Sequence, residues 1–228
     1  DKYGADALRL TLITGNAPGN DMRFYIERVE NSRNFANKVW NASRFIMMNM
    51  EDGKEADAAV MPQGLQPEDQ WILSKFNHVV SDVTENMEKF ELGIAVQKVY
   101  DFIWGEFCDW YIEIAKVRLW KAEEDPKAAN EALWTLRTAL TQGLKLLHPF
   151  MPFITEEIFS TIQTKEPSIM ISSWPKRRED FDFPEQEKDI EMIKDAVSGI
   201  RKMRSDRNVA PSRKSKVYVV SDSDKTLE

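Results

Sequence analysis

Residues 93–120 constrain the fold of this 228-residue chain more than any other stretch, because they are apolar almost all round a helix. Apolar residues recur there at the three-to-four spacing that stacks side chains on one helix face. A helix that buries two opposite sides belongs in the middle of a bundle. Its one polar stripe is Asp109, Glu113 and Lys116. One apolar side holds Val96, Val99, Ile103, Phe107, Trp110 and Ile114, and the other holds Cys108, Ile112 and Leu119.

Further helices are predicted around this central one from apolar periodicity and from residues that start or stop a helix. Pro67 and Pro126 suit the first helical turn, and Pro149 prevents continuation of the helix before it. These helices cover residues 5–14, 27–50, 67–89, 125–148, 150–162 and 185–206. Residues 16–20 are predicted to form a turn and 51–66 a loop, residues 164–184 are irregular, and short strands are expected at 22–25 and 216–220. The pattern predicts a mainly α fold, a helical bundle with a small C-terminal mixed α/β appendage.

Phe45 stands out on the helix predicted for residues 27–50. Advancing by about 100° per residue places its ring opposite the expected apolar stripe. Amides and cations surround it there, which is what stacking on an unpaired nucleic-acid base requires. The alternative is that Phe45 packs under a neighbouring helix or loop. The stripe is Val29, Ala36, Trp40, Ser43, Met47 and Met50, and the neighbours of Phe45 are Asn34, Asn37, Lys38 and Asn41, with Arg44 at the flank.

Charge is distributed unevenly along the chain. The net charge is −7, which by itself argues against a nucleic-acid partner. Residues 201–216, however, hold seven basic side chains and one acidic side chain. Such a cluster can neutralise phosphates, and Arg201, Arg204 and Arg207 are the predicted phosphate-binding residues. The alternative is a solvated helix end.

Composition and motifs limit the function classes. Hydrophobic content of 42% and charged content of 30% are ordinary for a globular protein. No apolar run is long enough for a membrane span, no leader resembles a signal peptide, and Cys108 is the only cysteine, which together favour a reducing, cytoplasmic setting.

Catalytic constellations are absent from the sequence. We find no Gly-rich phosphate loop, metal-ligand spacing or nucleophile elbow. His78 and His148 are expected to be structural. Asp109 and Glu113 could form an acid–base pair, although such a stripe is more often a salt-bridged face. No catalytic residue and no metal ligand are predicted.

Several long motifs resemble the valyl-tRNA synthetase family of class I aminoacyl-tRNA synthetases. The similarity covers essentially the whole chain. The first nine residues, DKYGADALR, resemble the segment that follows the KMSKS signature of this class. The other motifs are TGNAPGND (14–21), RNFANKVWNASRF (33–45), EFCDWYIE (106–113), HPFMPFITEE (148–157) and NVAPSRK (208–214). Isoleucyl and leucyl relatives share the HPF and TEE patterns but typically lack the NFANK form.

The resemblance implies an anticodon-binding domain of valine–tRNA ligase, with valine tRNA as the partner. Residues 1–25 would end the stem-contact segment, 26–165 would form the anticodon-binding bundle, and 166–228 would lead toward a further C-terminal region. The ATP- and magnesium-dependent catalytic elements and the editing domain would lie upstream of Asp1, so this chain alone is expected to be inactive and to need no cofactor. It is also expected to be monomeric.

The resemblance also places the family's anticodon pocket on this chain. The matching positions are Asn37, Lys38, Arg44, Phe45, Ile112 and Glu113. Asn41 joins them through its position beside Phe45. Valine anticodons end in A and then C. An Asn amide can make two hydrogen bonds to adenine, and a carboxylate can accept from the cytosine amino group.

Two alternatives remain open at this point. The chain could be the corresponding domain of an isoleucyl-type synthetase. It could instead be a helical protein–protein interaction module that uses the Phe45 face as an apolar anchor. Salt dependence separates RNA binding from an apolar protein contact.

Overall fold

The computed structural model describes residues 2–15, 19, 21, 23–50, 61–163, 165–210, 212–218 and 220. Helices dominate this part of the chain, which confirms the predicted mainly α bundle. They are α1 (Ala5–Ile13), α2 (Ile26–Met48), α3 (Pro67–Glu88), α4 (Leu92–Asp101), a π-helical segment (Phe102–Tyr111), α5 (Ile112–Trp120), α6 (Pro126–Leu147), α7 (Pro152–Ile162) and α8 (Pro184–Asp206). Short 3₁₀ turns lie at Ile169–Ile171 and Glu179–Phe181.

The predicted helix starts coincide with local caps. At α3, the backbone N–H of Gln66 donates to Asp69 Oδ2 at 3.0 Å, and Pro67 occupies the first turn. At α6, Asp125 Oδ1 accepts from the backbone N–H of Ala128 at 3.0 Å. These carboxylates satisfy N–H groups that have no intrahelical partner, as acidic residues do at the positive end of a helix.

The central helix differs from its prediction in one respect. A single α-helix was expected from 93 to 120, whereas the structure inserts ten π-helical residues between α4 and α5. Hydrogen bonds in a π-helix join residues five apart instead of four. Phe107, Cys108 and Ile112 are buried as predicted, because a helix in the middle of a bundle is apolar on several sides. The apolar pattern therefore could not reveal the change of helix type.

The buried face of α2 is rotated from the predicted stripe by roughly 60°. Trp40, expected inside, is 40% exposed. Two of the buried residues are serines, and the hydroxyl of Ser32 meets that of Thr11 on α1 at 2.8 Å. The buried residues are Val29, Ser32, Phe35, Val39, Ala42, Ser43 and Ile46. Phe45 consequently lies at the flank of the core, half-buried, and not opposite it.

Both strand predictions lack support in the structure. Residues 23–25, 216–218 and 220 carry no strand pairing, and no other described residue offers a strand as a partner. An extended segment needs such a neighbour to satisfy its backbone groups as a sheet. Most of the predicted turn at 16–20 and of the predicted loop at 51–66 lies outside the described residues. The positions concerned, together with two from the predicted strands, are 16–18, 20, 22, 51–60 and 219. In the described part of the chain, no helix has the length and apolarity that crossing a membrane requires.

The chain divides into two compact units, Asp1–Glu187 and Lys188–Glu228. The first holds α1 to α7, with α3, α6 and the central helix at its core. The second is built on most of α8 and the residues after it. The domain boundaries expected after residues 25 and 165 stay predictions.

Candidate nucleic-acid interface

Lys38 is held in a defined position on the side of α2. Its ammonium forms an ion pair with the carboxylate of Asp109 and lies 3.9 Å from the centre of the Trp104 ring. One turn before it, the ring of Phe35 stacks on Tyr100 at 4.5 Å, which fixes α2 against the central helix. A cation between a carboxylate and an aromatic face is stabilised from two sides.

The π-helical segment explains how two side chains of one helix reach Lys38. Trp104 and Asp109 are five residues apart. In an α-helix, that spacing would separate them by roughly 140°. In the π-helix, residues five apart are hydrogen-bonded neighbours and lie about one turn apart on one side. The π-helical segment therefore places Trp104 and Asp109 on the same side of the helix, where both contact the Lys38 ammonium.

Phe45 and Glu113 are brought together through Lys116. The Lys116 ammonium lies 5.5 Å from the centre of the Phe45 ring and 2.5 Å from Glu113 Oε1. Lys116 therefore joins α5 to the Phe45 ring on α2 by a cation–π contact, and its ion pair within α5 holds it beside Glu113. The prediction that the central helix places Glu113 near the Phe45 face agrees with this geometry.

The remaining candidate residues of the anticodon site divide into two groups. Asn37, Asn41 and Arg44 are exposed on α2, and their side chains form no hydrogen bond or ion pair with another described residue. Ile112, in contrast, is only 5% exposed. The structure places its side chain in the core beside Glu113, where it supports the surface from beneath.

A buried network fixes the position of α5. The Tyr111 hydroxyl donates to Asp69 Oδ1 at 2.5 Å, and Arg118 Nη1 donates to Asp69 Oδ2 at 2.8 Å. Burial, reinforced by the Asp69 carboxylate, raises the pKa of Tyr111 well above its usual value of 10. The same carboxylate caps α3, so that one side chain joins the start of α3 to both ends of the segment that carries Glu113.

Sequence reasoning missed several members of this surface. Trp120 is 76% exposed at the end of α5. It follows Glu113 by seven residues, and Lys116 follows Glu113 by three, so helical spacing could have identified both. Trp104 could not have been found in this way, because its approach to Lys38 depends on the π-helical turn.

The basic segment uses its arginines in two ways. Arg201 and Arg207 are exposed. Arg204 Nη2 donates to the backbone carbonyls of Ala210 at 2.6 Å and Arg213 at 2.7 Å. Asn208, with φ of 51°, ends the helix in the left-handed region that Asn tolerates. Arg204 therefore holds the turn after α8, whereas Arg201 and Arg207 point their charge outward.

The two histidines and the acidic stripe have structural partners. His148 Nδ1 lies 2.7 Å from the Thr155 hydroxyl, and burial lowers the pKa of His148 below its usual 6.5. His78 Nε2 lies 2.9 Å from Glu187 Oε1. Asp109 and Glu113 each pair with a lysine, so they form a salt-bridged face.

No cluster of three or more potential metal-binding side chains occurs among the residues that the structure describes.

The fold and this surface together indicate a class of RNA-binding domain found in tRNA ligases. The chain belongs to the family described as the anticodon-binding domain of tRNA ligase, which matches residues 69–219.

Two of the individual relatives are valine–tRNA ligases. The chain is 53% identical over 227 residues to the valine–tRNA ligase of Clostridium tetani, covering 96% of this chain and 24% of that protein. It is 54% identical over 217 residues to the valine–tRNA ligase of Clostridium perfringens, covering 95% of this chain and 24% of that protein. The chain thus spans about a quarter of the length of these relatives.

A solved structure supports the fold. The leucyl enzyme of Agrobacterium radiobacter, in a ternary complex with tRNA and LeuAMS, matches with a TM-score of 0.58 and 18% identity. The match covers 80% of this chain and 20% of that one.

Proposed function

We propose that this chain recognises the anticodon of valine tRNA as one part of a valine–tRNA ligase. One observation carries the proposal: Lys116 joins the ring of Phe45 on α2 to the carboxylate of Glu113 on α5. An aromatic ring, a cation and a carboxylate acceptor are thereby presented on one surface of a chain that belongs to an anticodon-binding family.

Each part of the surface suits a different part of an anticodon loop. The half-buried ring of Phe45 offers a face on which an unpaired base can stack. The free amides of Asn37 and Asn41 suit adenine, which presents one acceptor and one donor. Lys38 and Arg44 supply positive charge for phosphates. We assign Trp120, exposed two helical turns beyond Glu113, as a second stacking platform.

Glu113 is the residue proposed to select cytosine at the third anticodon position. A carboxylate can accept about four hydrogen bonds, so its contact with Lys116 leaves capacity for the cytosine amino group. Glu113→Gln keeps the shape but presents an amino group to cytosine. We expect this variant to lose about 1–3 kcal/mol of preference for C over U.

The binding experiment uses fluorescence anisotropy with valine tRNA and with transcripts altered at the second or third anticodon base. Tight binding of the intact anticodon, weakened by altered bases and by added salt, is the expected result. Glu123→Gln is the matched control, since it removes one charge from an exposed position in the turn after α5. Equal binding of all anticodons would contradict the proposal, and preference for isoleucine transcripts would favour the isoleucyl-type alternative.

The activity of the whole protein follows as part of the same proposal. Attachment of valine to its tRNA would use ATP and magnesium at sites on other parts of the ligase. The cytoplasm is the proposed location and a monomer the proposed state. Valine-dependent exchange between ATP and pyrophosphate should be absent from this chain alone, and its detection in clean protein would contradict this division of roles.

A further inference from the structure

A second positively charged site lies apart from the Phe45 surface, in a pocket of about 580 Å³. The pocket is formed by α6, the end of α7 and the irregular segment that contains the basic run Lys176-Arg177-Arg178. A cavity of this size suits a small organic ligand. Five cations line it against one carboxylate: Arg137, Lys145, Lys165, Lys176 and Arg178 against Glu166.

Two buried polar groups on α6 face this pocket with hydrogen-bonding capacity unused. Arg137 is 7% exposed, and its guanidinium donates to the carbonyl of Ile162 at 3.3 Å. A guanidinium has five N–H donors, and the described residues supply no carboxylate partner for Arg137. The hydroxyl oxygen of Thr138, the next residue, is buried and has no hydrogen-bond partner among the described residues. Buried polar groups are normally satisfied, so these two groups are suited to bind a polar ligand.

The other cations of the pocket lining differ in whether a carboxylate forms an ion pair with them. Lys145 pairs with Glu166 at 3.0 Å, and Arg178 pairs with Asp180 at 2.5 Å. Lys176 is exposed at the rim and forms no ion pair or hydrogen bond with the described residues. The lining thus keeps an excess of positive charge at Arg137 and Lys176, in a chain whose net charge is −7.

An aromatic side chain borders the same pocket. Trp174 lines it, and the indole N–H of Trp174 donates to the Thr84 hydroxyl at 2.9 Å, which fixes the orientation of the ring. Phe159 lies deeper in the lining and is fully buried. A fixed indole offers a face for a planar base, while the cations of the lining suit a phosphate.

We propose that this pocket binds a nucleoside monophosphate unit, with its phosphate at Arg137, Thr138 and Lys176 and its base against Trp174. The unit has two conceivable sources, a free nucleotide or a nucleotide of a bound RNA, and both present the same chemistry. The site is separate from the anticodon surface and does not depend on it.

The probes are AMP, inorganic phosphate and adenosine, measured by calorimetry and by the amide and indole NMR signals of the whole chain. AMP should bind more tightly than phosphate, adenosine should bind least, and the Trp174 indole signal, assigned with Trp174→Phe, should shift with AMP. Thr138→Val and Lys176→Gln should each weaken AMP several-fold. Thr138→Val removes a buried hydroxyl that has no partner among the described residues, so the fold is expected to remain intact.

Arg177→Gln is the matched control. It neighbours Lys176, but its guanidinium pairs with Asp182 at 2.9 Å and does not line the pocket. AMP affinity should be unchanged in this variant. Equal affinity for adenosine and AMP, or unchanged AMP affinity in Thr138→Val and Lys176→Gln together, would overturn the site.

Competition with valine tRNA distinguishes the two sources. If the RNA supplies the nucleotide, AMP should compete with tRNA, and Lys176→Gln should weaken both ligands. If the source is a free nucleotide, AMP should bind without displacing tRNA. Phe45→Ala should weaken tRNA and leave AMP binding intact, so a failure of the anticodon proposal and a failure of this site give different results.

Discussion

Phe45 lies closer to the core of the bundle than the sequence predicted, and this changes its expected role. Its ring is half-buried at the flank of the core and covered on one side by the Lys116 ammonium. Base stacking by Phe45 stays a prediction. Under the proposed function, an unpaired base would take the place of the Lys116 ammonium over the ring.

We predict that Phe45→Ala costs about 1–3 kcal/mol of tRNA binding, the value of one stacking platform. The loss of stability should be smaller than the 3–5 kcal/mol typical of a fully buried phenylalanine. Anisotropy titration and urea unfolding measure the two quantities. Phe153→Ala, an exposed phenylalanine on α7, is the control. Unchanged tRNA affinity together with a large loss of stability would show that Phe45 is a core residue only.

His148 gives the unit Asp1–Glu187 a defined response to acid. Burial lowers its pKa in the folded protein, so the unfolded state binds the proton more tightly. His148 therefore contributes stability above pH 6.5, and that contribution is lost as the pH falls through its folded pKa.

The test compares the free energy of unfolding of the protein and of His148→Asn at pH 7 and pH 5. The native protein should lose more stability than the variant on acidification. An NMR titration of the His148 imidazole should give a midpoint below 6.5, and a midpoint at or above that value would contradict the expected direction.

At the scale of the elements, the network around Asp69 joins α3, the π-helical segment and α5. Removing one member of a buried ionic network leaves charge without a partner, which typically costs about 3–5 kcal/mol. We expect Asp69→Asn to destabilise the protein by this amount and to weaken tRNA binding, because Glu113 and Lys116 lie on the helix that Asp69 positions.

The control for Asp69→Asn is Asp82→Asn. Asp82 forms an exposed ion pair with Lys98 at 2.8 Å, and surface pairs contribute about 0–1 kcal/mol. Chemical denaturation measures both variants. If the two variants lost equal stability, the network would not be what holds α5 in place.

The sequence predicted the helices well and the faces of the helices less well. Proline and acidic caps at Pro67 and Asp125 are local signals, and each marks a helix start within a residue or two. The buried side of α2 was misplaced because Ser32 is buried in a hydroxyl contact with Thr11, whereas Trp40 is exposed. The position of Lys38 depends on a π-helical turn that apolar spacing does not encode. Candidate residues were found through motif resemblance, and their neighbour Trp104 required the structure.

At the scale of the whole molecule, positive charge is concentrated in residues 201–216, at the end of α8 and after it, although the net charge of the chain is −7. Long-range attraction to RNA comes from such a segment without base preference. Arg204 is engaged with two backbone carbonyls, so its substitution would disturb the turn, and the charges chosen for removal are those of the exposed Arg201 and Arg207.

We predict that Arg201→Gln combined with Arg207→Gln weakens every tRNA alike. The slope of the logarithm of affinity against the logarithm of salt concentration should flatten by about one unit for each lost phosphate contact. Titrations at several salt concentrations, with valine tRNA and a non-cognate tRNA, measure this. A loss confined to valine tRNA would contradict a role limited to phosphates.

The position of Lys38 also has a consequence for the thermodynamics of association. Immobilising a free lysine side chain costs up to about 2 kcal/mol of rotamer entropy. In Lys38 that freedom is already restricted, because Asp109 and Trp104 hold the ammonium before any RNA arrives. Under the proposed function, RNA that takes over this cation from Asp109 would meet an ordered side chain. The entropic cost of forming the complex would then rest mainly with the nucleotides of the RNA loop, which must leave their own stack to bind.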